Sequence, residues 1–86
     1  MRVLIPNPLR SYTKGVGTVD AHGRTLDELT ADLDRRFAGL RFRVIDEQRQ
    51  IRPHIRFFVN GRQVRALAEP ISDRDEVIIV CALSGG

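Results

Sequence analysis

Only one stretch of this sequence repeats its apolar residues at a helical interval. Leu26, Leu29, Leu33 and Phe37 follow one another at spacings of three, four and four, which draws a single apolar stripe along one helix face. Thr25-Leu26-Asp27-Glu28 supplies the start: the Thr25 hydroxyl can accept from the Glu28 backbone N–H while the Glu28 carboxylate reaches back. Asp27 and Glu28 in the first turn and Arg35 and Arg36 in the last suit the helix dipole, and Gly39 reads as the C-terminal stop. The stripe is read as core and not as a cofactor box. The remaining apolar runs have strand character, so the fold class is α+β, with a sheet that must cover this one helix.

The strands follow from local pattern. Arg2-Val3-Leu4-Ile5 is a short run ended by Pro6 and is too apolar for a sheet edge. A loop through Pro8 to Gly15 leads to Val16-Gly17-Thr18-Val19-Asp20-Ala21, expected to pair with the first run as a hairpin. After the helix, 40–45 fits either a short helical turn or an irregular segment, and 46–53 is a polar connection. His54 to Val59 is a strong strand, Asn60-Gly61 is a hairpin turn because both residues tolerate positive φ, and Arg62 to Arg65 returns. Leu67 to Ile71 crosses over, Ser72 to Asp75 turns, and Glu76 to Ala82 is the last strand. The expected architecture is a mixed sheet of four to five strands wrapped on one main helix.

Alternation then assigns faces. If Val77 and Ile79 point at the helix, Ile78 and Val80 point away; the same rule puts Ile55, Phe57 and Val59 inward and Phe58 outward. Phe58, Ile78 and Val80 would form an uncovered apolar patch, and such patches mark partner surfaces.

At 86 residues the chain has room for one modest core. The lone Cys81 excludes an internal disulfide and suits a reducing cytoplasm. There is neither an apolar run long enough to cross a membrane nor a signal-peptide core, so the expected location is cytoplasmic, without membrane partners. The net charge of +3 invites a nucleic-acid reading, and Arg49, Arg52 and Arg56, with Arg62 and Arg65, cluster near the third strand. Carboxylates are interleaved with arginines throughout, which describes a solvated mixed-charge surface and argues against nucleic acid. His22 and His54 lack a second ligand at metal spacing, so no metal is expected. No glycine-rich phosphate loop or nucleophile–base pair is present, which argues against an enzyme.

The last strand runs into Leu83-Ser84-Gly85-Gly86. Two residues without Cβ atoms let another backbone or a narrow channel approach closely. The expected division is a folded unit over 1–81 and a flexible tail over 82–86.

These features together resemble the MoaD/ThiS sulfur carriers, a family of small ubiquitin-like β-grasp proteins. The matching residues are the opening strand, the Thr25-initiated helix with Leu29 and Leu33, Phe37-Ala38-Gly39-Leu40, the Phe58-Val59-Asn60-Gly61 hairpin, Ser72 to Val77, and Gly85-Gly86. Ile5-Pro6, Leu9-Arg10 and Tyr12-Thr13, with the long 40–53 connection, look more like CysO-like or MoaD-like carriers than the shorter ThiS type. Ser84 and Cys81 stand where several relatives carry other residues.

The resemblance implies a reaction at the Gly86 carboxyl. A ThiF/MoeB-type adenylating enzyme, using ATP, makes an acyl adenylate; a sulfur donor displaces AMP and leaves a thiocarboxylate. A synthase then takes the sulfur for molybdopterin, thiamin thiazole, cysteine or a similar product. Under this reading Leu83, Ser84 and Gly85 are the threading tail, Phe58, Ile78 and Val80 the partner interface, and the chain a co-substrate with no bound cofactor. Two alternatives stay open: a ubiquitin-like modifier conjugated through Gly86, and a non-covalent adaptor.

Overall fold

A computed structural model describes residues 1–82, and within them five strands form one mixed sheet. The strands are β1 (Arg2–Leu4), β2 (Thr18–Asp20), β3 (Ile55–Val59), β4 (Arg62–Val64) and β5 (Glu76–Cys81), in the spatial order β2-β1-β5-β3-β4. β1 and β5 run parallel in the middle, while β1–β2, β3–β5 and β3–β4 are antiparallel. The helix α1 (Leu26–Arg36) crosses one face, followed by the short α2 (Leu40–Val44). The apolar opening strand is therefore interior to the sheet, as its composition requires.

The α1 stripe is core for its first three members. Leu26, Leu29 and Leu33 are buried with Val3, Ile55, Phe57, Val77 and Ile79 from the sheet and Leu40 and Val44 from α2. Each such side chain contributes roughly 1.5–3 kcal/mol through removal of apolar area from water. Phe37 is only half-buried and sits at the helix end as its C-cap. Gly39 therefore does not stop α1; with φ 92 it opens α2, a left-handed position that few other residues adopt without strain. The Thr25 hydroxyl accepts from the Glu28 N–H at 3.2 Å, as the capping pattern requires. The Glu28 carboxylate, however, accepts from the Arg24 N–H at 3.0 Å, one residue earlier than the box would place it.

Two further segments differ from the sequence reading. Asn7–Thr13 is a 3₁₀ helix and not an open loop, held by a Leu9 N–H to Pro6 carbonyl bond of 2.9 Å. The second strand is shorter than expected, because Val16 lies outside it and is exposed. Of the two forms open to 40–45 the chain takes the helical turn over Leu40–Val44, with Ile45 extended after it, and the polar connection that follows is tied by the Asp46 carboxylate, which accepts from the Gln48 and Gln50 N–H groups. Asn60 and Gly61 both take positive φ, 50° and 84°, which closes the β3–β4 hairpin in the sense of the sheet twist.

Candidate functional site

One sheet face is filled by α1 and α2, and the other carries the candidate site. Strand alternation distributes the residues: along β3 and β5 the inner positions Ile55, Phe57, Val59, Val77 and Ile79 are buried, while Phe58 and Ile78 are half-buried and Val80 is 37% exposed. Register brings the outer ones together. Phe58 lies opposite Ile78 across the antiparallel β3–β5 pair, and Ile78 lies beside Leu4 across the parallel β1–β5 pair. Leu4, Ile78 and Phe58 thus form one apolar row across three strands, bounded by Thr18 on β2 and Gln63 on β4.

The face changes character along β5. At its start Glu76 is beside Arg2 and ion-paired with it at 2.8 Å. The apolar row follows, then Val80, opposite Arg56. The Arg56 guanidinium donates back to the Pro53 and Ile55 carbonyls. The Ala82 N–H bonds the His54 carbonyl at 2.7 Å, which places the last described residue beside the start of β3. Leu83, Ser84, Gly85 and Gly86, assigned to the tail, lie outside the described residues.

Leu4 was missed as a member of this face. Its signal was available, since buried Val3 and Ile5 flank it and alternation must turn it outward. Cys81, two residues after Ile79, falls on the inner side and packs half-buried against the core as a free thiol.

The titratable groups serve structure. Burial acts to raise the Asp32 carboxyl, but the His22 backbone N–H at 2.9 Å and the Arg35 and Arg36 guanidiniums outweigh it and hold it below the usual carboxylate range. Asp75 is likewise lowered, by the Ser72 N–H and the Asn60 side-chain amide, both at 2.8 Å, which ties the β4–β5 connection to the hairpin turn. His22 is exposed, its Nδ1 3.6 Å from an Asp73 carboxylate oxygen, and His54 is exposed in a turn. Among the described residues no three His, Cys, Asp or Glu side chains group to hold a metal. No helix there is long and apolar enough to cross a membrane.

A five-stranded mixed sheet closed over one long helix defines a ubiquitin-like β-grasp protein. Residues 3–86 match the model of the ThiS family, and the chain belongs to that family. The sulfur carrier protein CysO of Mycobacterium tuberculosis is 36% identical over 89 aligned positions that cover 98% of this chain and 96% of that one. Its crystal structure superposes with a TM-score of 0.90 at 33% identity, over 95% of this chain and 98% of that one. A chain of the Amycolatopsis orientalis BexX/CysO complex gives 0.92 at 34% identity, over 99% of this chain and 98% of that one. SAMP1 from Haloferax volcanii gives 0.77 at 26% identity, over 100% and 98%.

Proposed function

We infer that this protein is a sulfur carrier that works through the Gly86 carboxyl. The observation that supports it most is the extent of the family match, which runs through Ser84, Gly85 and Gly86 and not only over the folded part. As a ThiS-family chain related to a sulfur carrier protein, it acts as a protein substrate and not as a catalyst.

A carboxylate is a poor electrophile, so activation comes first. One Gly86 carboxylate oxygen attacks the α-phosphorus of ATP on a ThiF/MoeB-type adenylating enzyme and releases pyrophosphate. Hydrosulfide, or a carrier that delivers it, then attacks the acyl carbon, and AMP leaves with that oxygen. The resulting thiocarboxylate is the sulfur donor for a synthase. The chain's own contribution is placement. Leu4, Phe58, Ile78 and Val80 dock the domain, while the five residues from Ala82, when extended, reach at most about 17 Å into the partner's active site. Glycines at 85 and 86 let that backbone enter a channel too narrow for side chains. Docking by a β-grasp carrier on a protein partner is consistent with the BexX/CysO complex of Amycolatopsis orientalis.

The similarity to SAMP1, a small archaeal modifier protein by the name of its relatives, favours a second reading, in which the activated Gly86 carbonyl is transferred to lysines of other proteins. Intact-mass spectrometry separates the two. With ATP, sulfide and the adenylating enzyme, the carrier exchanges one oxygen for sulfur, and deletion of Gly86 or Gly85→Val abolishes that product while the melting temperature stays at that of the parent. A parent that gains no sulfur with an enzyme shown to activate a relative refutes the carrier. A ladder of isopeptide-linked proteins in place of the sulfur product selects the modifier.

A further inference from the structure

A cleft of about 650 Å³ opens at the β3–β4 side of the sheet, under the 49–53 connection. Its apolar lining includes Ile55 and Val64, both buried, and Leu67 and Ile51, both half-buried, with Pro53 exposed at the edge, and its polar rim includes Arg52, Arg56 and Arg65. Among the described residues no carboxylate lines it. Elsewhere the arginines of this region are neutralised: Arg49, also at the rim, pairs with Asp27, and Arg62 pairs with Glu69 at 2.9 Å. Arg52, Arg56 and Arg65 make no ion pair among the described residues. They are held in place by other contacts. Arg52 donates from Nε to the Phe42 carbonyl at 2.7 Å and stacks 4.5 Å over the Phe42 ring, Arg56 is anchored through Nη1, and Arg65 donates to the Gln63 side chain at 3.2 Å. Each retains guanidinium donors facing no protein acceptor among the described residues.

We propose that this cleft receives an acidic segment of the protein that docks on the outer sheet face, with carboxylates on Arg52, Arg56 and Arg65 and an apolar side chain on the Ile55–Val64–Leu67 floor. Charge complementarity and position both support this occupant. Guanidinium forks match carboxylates in a bidentate geometry that fixes register as well as charge. The rim of the cleft reaches the outer face, since Arg56 lies opposite Val80 and Gln63 opposite Phe58, while its floor lies on the inner side beside the edge strand β4, so one partner can cover the apolar row and reach over that edge. A single-stranded nucleic acid fits less well, because bases are held by aromatic stacking and no aromatic side chain lines the cleft. Phe57 is buried in the core and Phe58 belongs to the outer face. The identity of the docking protein rests on the carrier reading; the preference of the cleft for carboxylates does not.

The test is an amide-shift titration of the full ¹⁵N-labelled chain with four probes: a blocked glutamate-rich peptide carrying one leucine, its glutamine counterpart, an oligouridylate and inorganic phosphate. The glutamate peptide should shift amides at 52–56 and 63–67 saturably, and weaken as salt is raised. The pair Arg56→Ala and Arg65→Ala should weaken it about tenfold, the combined effect of two exposed ion pairs. Exposed Arg65→Gln alone gives a smaller loss and keeps the test valid if the double variant unfolds. Tighter binding of the oligouridylate or of phosphate, equal binding of the glutamine peptide, or shifts confined to other residues overturns the proposal. Sulfur loading of the parent, read by mass on the same sample, reports on the carrier reading separately: loaded protein that ignores the glutamate peptide refutes the cleft alone.

Discussion

The two faces of this sheet are built from the same strands and nearly the same amino acids, yet they do opposite things. Phe57 and Phe58 are neighbours in β3; Phe57 is fully buried under α1, and Phe58 is half-buried on the open side. Ile79 and Ile78 repeat the pairing on β5. Among the described residues helices cover only one face, so Phe58 and Ile78 keep part of their apolar surface open on the other. Hydrophobicity at a position thus does not say which face it serves, while its parity along the strand does.

The largest expected difference between the faces is in stability. Phe57→Ala should cost about 3–5 kcal/mol by lost burial and an unfilled cavity, read as a lowered urea midpoint at unchanged slope. A loss below about 1 kcal/mol would mean that the core repacks and that the two faces are not distinct in kind. Phe58→Asp, one residue on, should cost about 1 kcal/mol, within the range for changing a strand residue on a solvent side. Its main effect should instead be weaker docking, since a carboxylate pressed into an apolar interface loses hydration without a partner. Circular dichroism and titration of the adenylating enzyme measure the two quantities on one sample; an unfolded Phe58→Asp would reverse the assignment of faces.

The smallest effect concerns charge. Asp32 belongs to the helix side, with a side chain 10% exposed, whereas Glu76 on the outer face is 42% exposed. Because the folded protein holds the Asp32 carboxyl below its ordinary value, its contribution is complete above about pH 4 and is lost as pH falls through the lowered folded value. Asp32→Asn should therefore flatten the acid limb of the stability curve. Glu76→Gln, which removes an exposed ion pair, should leave stability within about 1 kcal/mol of the parent.

Much of the outer face is legible in the amino-acid sequence. Strict alternation in β3 and β5 is a local property, so the parity of Phe58, Ile78 and Val80 could be read directly. The helix start was equally local, because Thr25 and Glu28 lie within one turn. Leu4 was harder to place. Its strand has only three residues, and its relevance depends on β1 lying parallel beside β5 although some seventy residues separate them in the chain. The arginine cluster was visible, but its division into paired and unpaired members was not. Arg49 is neutralised by Asp27 on α1, twenty-two positions away, and nothing local announces that contact.

The amino-acid order was sufficient for everything that depends on neighbours within a turn or along a strand: one capped helix, strand parity, a tight hairpin at Asn60-Gly61, and the Gly85-Gly86 pair that is one of the features behind the family resemblance. What required the folded chain was juxtaposition. The registration of Leu4 with Ile78 and Phe58, the role of Gly39 in opening α2, and the grouping of Arg52, Arg56 and Arg65 around one apolar floor all arise when distant segments are brought together to bury a shared core. Burial drives that assembly without regard to sequence distance, whereas periodicity and capping act only over a few residues, so the first can be known only from the fold.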